Sequence, residues 1–82
     1  MSPFVALAQD FSVGFAAYEV GDYATALKEF RPLAEQGDLH AQFLLAVLYH
    51  NGRGVPRDYA EAVKWYRFAA EQGNADAQSS LG

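Results

Sequence analysis

The sequence predicts an all-α protein, an αα-solenoid of about two helix hairpins followed by part of a third. Three observations predict it. The chain repeats itself: Ala34-Glu35-Gln36-Gly37 returns 36 positions later as Ala70-Glu71-Gln72-Gly73. The same offset of 36 links Asp22-Tyr23-Ala24 with Asp58-Tyr59-Ala60, Arg31 with Arg67, and Ala41-Gln42 with Ala77-Gln78. Such a period marks units that bury their apolar faces against neighbours. Apolar residues also recur in steps of three and four, and no stretch alternates as a strand would. Finally, each helical run starts at an Asp or Asn and stops at a Gly.

The elements follow in order. Helix A1 is predicted from around Phe4 or Asp10 to Val20. Gly14 weakens it by about 1 kcal/mol relative to Ala, unless close packing uses the missing side chain. Helix B1 runs from Asp22 to Gln36, with Tyr23, Ala26, Leu27, Phe30, Leu33 and Ala34 on one stripe. Pro32 removes the amide that would bond to Lys28 and should bend the last turns. Helix A2 spans Asp38 to Asn51, with Ala41, Leu44, Leu45, Leu48 and Tyr49 facing inward. The segment Asn51-Gly52-Arg53-Gly54-Val55-Pro56-Arg57 is a longer connection than Gly21-Asp22, with Val55 as its anchor in the core. Helix B2 runs from Asp58 to Gln72, with Tyr59, Ala62, Val63, Tyr66, Ala69 and Ala70 as its stripe. A short last helix starts after Asn74. Asp22, Asp38, Asp58 and Asn74 are N-caps, and Glu61 completes a capping-box pattern with Asp58. Gly37 and Gly73 close the B helices in the left-handed conformation.

These boundaries make residues 1–82 a single repeat domain: 10–37 repeat 1, 38–73 repeat 2 and 74–82 a truncated repeat 3. Residues 1–9 carry Ala6-Leu7-Ala8 before Gln9, the small-x-small form of a signal-peptidase site, without a basic n-region. They read either as the trimmed end of a secretory leader or as an apolar first turn. The first reading places the protein in the periplasm or outside the cell, the second in the cytoplasm.

Composition narrows function. With no cysteine, disulfides and thiolate metal sites are excluded. A formal charge of −4 gives no attraction to phosphates or anionic membranes, so neither nucleic acid nor membrane insertion is expected. The two histidines, His40 and His50, lie ten residues apart on one helix. That is about 15 Å along the axis and does not chelate one ion. Gly52-Arg53-Gly54 looks like a phosphate loop but lacks the strand and the Lys-Ser/Thr pair, so it reads as a turn. The acidic residues sit at caps (Asp22, Asp38, Asp58) or on helix surfaces (Glu29, Glu35, Glu61, Glu71) rather than converging as a catalytic pair. Arg31 with Glu35 and Arg67 with Glu71 have i, i+4 spacing. Trp65, Tyr66 and Tyr49 read as packing residues. The Tyr49 hydroxyl should reach a neighbour, and Gln42 should bond across to the adjacent unit. No catalytic residue, metal site or cofactor is expected.

The run Ala41-Gln42, Leu45, Tyr49, Gly52-x-Gly54-Val55, Asp58-Tyr59, Ala62, Trp65-Tyr66, Ala69-Ala70 and Gly73 resembles the Sel1-like repeat family, a branch of the tetratricopeptide-type αα-solenoids. Ala46 stands where that family usually has Gly. Residues 18–37 look more like a plain tetratricopeptide unit. The resemblance implies a right-handed superhelix with A helices on its concave side. It also implies a non-enzymatic adaptor or scaffold, often in bacterial envelope, secreted or signalling proteins.

Phe43 and Val47 are the A2 residues least explained by the core. With His40, His50 and Asn51 they form the candidate partner-binding face, for a helix or extended peptide. The other reading is that neighbouring A helices cover Phe43 and Val47. The partial third unit leaves the end of B2 incompletely covered, which predicts self-association as a homodimer. Copies would stack, or exchange helices across residues 52–57 or the Gln36-Gly37-Asp38 turn. Two alternatives stand beside the adaptor: an accessory repeat module of a larger enzyme, and a binder of peptides or cell-wall fragments in the bacterial envelope.

Overall fold

The computed structural model describes residues 10–73. The leader reading of residues 1–9, and the cap at Asn74 with its short helix, lie outside the described residues. The described residues form helices α1 (Phe11–Glu19), α2 (Tyr23–Glu35), α3 (Leu39–Asn51) and α4 (Tyr59–Glu71), with no strand among them. They fill the predicted places of A1, B1, A2 and B2. Each helix packs on the next in the chain, α1 on α2, α2 on α3 and α3 on α4. This is the hairpin stack of a helical-repeat protein.

Helix starts follow the acidic caps. Asp10 accepts from the Ser12 amide, Asp22 from Thr25, Asp38 from Ala41 and Asp58 from Glu61. Each bond satisfies one of the amides that a helix start leaves free. The expected capping box at Asp58 is only half made. The Asp58 amide donates to the Tyr49 carbonyl at 3.0 Å, so the Glu61 side chain is not needed there. Glu61 pairs instead with Lys64, at 3.3 Å.

Helix ends share one device. After α2, the Asp38 amide donates to the Leu33 carbonyl (3.0 Å) and Gly37 to Ala34 (3.1 Å). Gly37 sits at φ 101°, the left-handed region where a side chain would clash. The same pair of bonds ends α1, through Asp22 to Ala17 and Gly21 to Tyr18. It ends α3 through Arg53 to Leu48 and Gly52 to Tyr49. Counted back from these glycines, Tyr18 and Tyr49 occupy equivalent places. Helix α2 continues through Pro32 to Glu35, a full turn from its end being reached without a break.

The core is one cluster. Phe30, Leu45 and Leu48 are its largest fully enclosed side chains, and Ala26, Ala34, Ala41, Ala46 and Ala69 let the helices approach closely. Gly14 is buried in the α1–α2 contact. A Cβ there would lie 2.7 Å from the Phe30 ring. The glycine is used for close approach, and the Phe30 packing offsets its helix penalty.

Four expectations about side chains are corrected. Tyr59 and Val63 were placed on the inward stripe of B2, but they are 54% and 40% exposed. Their counterparts Tyr23 and Leu27 are half-buried because repeat 2 lies over them. No described element lies over the same face of α4. The Arg31–Glu35 and Arg67–Glu71 pairs are also absent among the described residues. Arg31 donates to the Tyr49 hydroxyl instead, at 2.8 Å, a partly buried bond that a flexible surface carboxylate does not displace.

Candidate interaction site

The candidate face is built on α3, the helix held on both flanks. Its inner side is fixed by Ala41, Leu45, Ala46 and Leu48, all fully buried. Gln42 ties it to both neighbours. Its Nε2 donates to the Ala34 carbonyl at 3.0 Å, and its Oε1 accepts from Gln72 Nε2 at 2.7 Å. This buried amide crosses between repeats, as the sequence suggested. Tyr49 does the same through Arg31, whose guanidinium also lies 5.8 Å from the ring centroid. The register of α3 against α2 and α4 is thereby set by polar bonds as well as by packing.

The structure places the five nominated residues in two groups. Phe43 and His50 both turn toward Tyr66 of α4, with ring centroids 5.7 and 6.4 Å away. His50 also meets Tyr59, at 5.4 Å. Val47 is half-buried against the core between them in sequence, and Asn51 is exposed at the helix end. His40 belongs elsewhere. It lies against Phe11 of α1, at 6.1 Å, near the opposite end of the helix. Phe43 and Val47 are half-buried, His40, His50 and Asn51 exposed.

Two aromatic residues join the face that the sequence had assigned to the core. Tyr59 is exposed, and the Arg57 guanidinium stands 5.6 Å from its ring centroid. Tyr66 lies beneath, 8% exposed, as the floor on which Phe43 and His50 rest. The signal for Tyr59 was present in the repeat itself. Its counterpart Tyr23 needs a second repeat to cover it, and in particular the Arg53 side chain, which donates to its hydroxyl at 2.9 Å.

The loop at residues 51–57 is a clasp between repeats. Gly54, at φ 77°, lets the backbone pass so close to Tyr23 that a Cβ would come within 2.9 Å of its carbonyl oxygen. Val55 packs against the core as expected. With Arg53 and Gly54 spent on Tyr23, the loop serves the stack. Among the described residues, no three His, Asp or Glu side chains gather in a way that would hold a metal. No described helix is long and apolar enough to cross a membrane. The face is therefore an aromatic surface with imidazole and guanidinium groups at its edge, suited to contact by shape and stacking.

Comparison with known proteins agrees with this architecture. The Sel1 repeat family matches at residues 39–74, which is the α3–loop–α4 hairpin and its closing turn. No curated protein matches the chain. Among solved structures, a protective antigen present in uropathogenic Escherichia coli strains, described as displaying an SLR fold, superposes with a TM-score of 0.79 at 41% identity. The match covers 85% of this chain and 16% of the antigen, so the chain spans about one sixth of that protein's length.

Proposed function

Because residues 39–74 match the Sel1 repeat family, we propose that the chain works as an adaptor that grips a protein or peptide partner on its A-helix face. Sel1-like repeats in general act as protein-interaction scaffolds and are not themselves enzymes. The observation that carries the reading is the aromatic group formed by Phe43 and His50 of α3 with Tyr59 and Tyr66 of α4, where α3 is packed on its inner side by Ala41, Leu45, Ala46 and Leu48. Rigid aromatics on a fixed support lose little entropy on binding. Val47, Asn51 and, at the far end, His40 extend the surface along α3. A helix or an extended segment fits a surface of that length.

Self-association belongs to the same proposal. Val63 and Phe68 lie open on α4, 40% and 45% exposed, where the equivalent Leu27 and Pro32 of α2 are half-covered. A second copy would cover them. The match to one sixth of a longer antigen favours a second setting for the same activity, in which this hairpin pair is one module of a larger repeat array.

The test is partner recovery by the intact chain against Phe43→Asp, Val47→Asp and His50→Glu variants with unchanged circular dichroism. His50 is exposed, so its variant keeps the fold. A loss of roughly tenfold in affinity is expected, the effect of one interface anchor. Equal recovery by the folded variants overturns the assignment of this face. Sedimentation of the same proteins reads self-association separately.

A further inference from the structure

The large apolar side chains that are exposed among the described residues all lie on the two end helices of the stack. Val13, Phe15 and Val20 belong to α1 and its C-cap, and Tyr59, Val63 and Phe68 to α4. None belongs to α2 or α3. Phe15 leans on Phe11 and Tyr18, with ring centroids 5.9 and 6.4 Å away, and Tyr59 leans on His50 at 5.4 Å. What stays open at the α1 end is Val13, Ala16 and Val20, the last 80% exposed. Their spacing of i, i+3 and i+7 makes one stripe of a helix. What stays open on α4 is Val63 and Phe68. With Ala60, Lys64, Arg67 and Glu71 they border a surface depression of about 250 Å³.

The two ends also differ in charge. The sequence has no lysine or arginine before Lys28, and the α1 end exposes Asp10, Glu19 and Asp22. Four of the six lysines and arginines lie from Arg53 to Arg67, and Arg57, Lys64 and Arg67 are exposed on α4 or just before it. The acids of that end are partly spent. Asp58 caps α4 and Glu61 pairs with Lys64, which leaves Glu71. Neither Glu19 nor Arg67 has an ion pair among the described residues. A chain of net charge −4 repels its own copies in most orientations. Opposite ends meeting is the orientation that complementary charge favours.

We propose that copies of this chain associate head to tail. The Val13, Ala16 and Val20 stripe of one copy lies on Val63 and Phe68 of the next, with Glu19 turned to Arg67. This rests on the self-association proposed above and gives it a direction. The alternative, α4 against α4, would bring Lys64 and Arg67 up to their own counterparts, and like charges across an interface oppose it. Because two unlike surfaces meet, every assembly keeps one free end of each kind until it closes into a ring, and growth does not stop at two copies.

The test uses the intact chain and two substitutions at exposed positions, Val20→Lys and Val63→Asp. The first sets a cation against the basic α4 face, the second an acid against the acidic α1 end. Sedimentation equilibrium of the native chain, from about 10 µM to 1 mM, the range of weak association, should show a mass that rises past the dimer. Each variant alone should associate roughly tenfold more weakly, the loss of one interface anchor. An equimolar mixture of the two should recover native affinity, because the unaltered α4 of one meets the unaltered α1 of the other. That recovery also shows that both variants are folded. Salt raised from about 0.05 to 0.5 M should weaken the native association severalfold by screening. A mass that levels off at the dimer, with Val20→Lys unaffected, overturns the head-to-tail direction and leaves self-association standing. A mixture no stronger than its parts overturns the direction as well. Association indifferent to salt overturns the role of Glu19 and Arg67. A monomer throughout the range overturns self-association and this inference together.

Discussion

Helices α2 and α4 have tyrosine and arginine at matching positions, 36 residues apart, but different surroundings. On α2, Tyr23 receives Arg53, Leu27 packs under repeat 2 and Arg31 holds the Tyr49 hydroxyl. On α4, Tyr59, Val63 and Arg67 are exposed. One sequence frame therefore serves as a seam in one repeat and as open surface in the next. A side chain's role in a repeat protein is set by whether a neighbour stands over it, since each unit supplies half of every contact.

The largest test of this contrast is in the seam. Phe30 is fully enclosed and takes the ring of Phe11 at 5.4 Å. Phe30→Ala should cost about 3–5 kcal/mol in urea unfolding, through lost burial and the cavity left behind. A cost below about 1 kcal/mol would show that α1 and α2 do not share a tight core. Next is Gly14→Ala. Helix propensity favours alanine by about 1 kcal/mol, but the new Cβ would meet the Phe30 ring at 2.7 Å. Overpacking of this kind costs about 1–3 kcal/mol, so net destabilisation is expected in the same assay. A stabilised variant would mean that the ring moves aside freely. The smallest and most direct comparison sets Tyr49→Phe against Arg67→Ala. The first removes a cross-repeat bond and should cost about 1 kcal/mol. The second removes an exposed arginine and should fall within about 0.5 kcal/mol. Equal losses would erase the distinction between seam and surface.

Much of the fold could be read directly. Asp10, Asp22, Asp38 and Asp58 start helices because a short carboxylate reaches the first free amides, a local event that needs no tertiary contact. Gln42 was legible because a buried amide must find partners. Tyr59 and Val63 were misplaced because periodicity reports which stripe is apolar and not which stripe is covered. Glu61 was drawn into a capping box by spacing alone, while the fold gave the Asp58 amide to Tyr49 from another helix. The gathering of Phe43 and His50 on Tyr66, and the placing of His40 against Phe11, follow from how α3 is rotated between its neighbours. Trp65 was correctly assigned to packing, and it is 7% exposed.

Taken alone, the order of residues determined the helices, their caps, their closing turns, the period of 36 and the resemblance to a repeat family, because these arise from short-range backbone chemistry and internal repetition. The tertiary structure decided which copy of each repeated residue is a contact and which is a surface. Burial is a property of pairs of elements, and the distance between them is not written in either one.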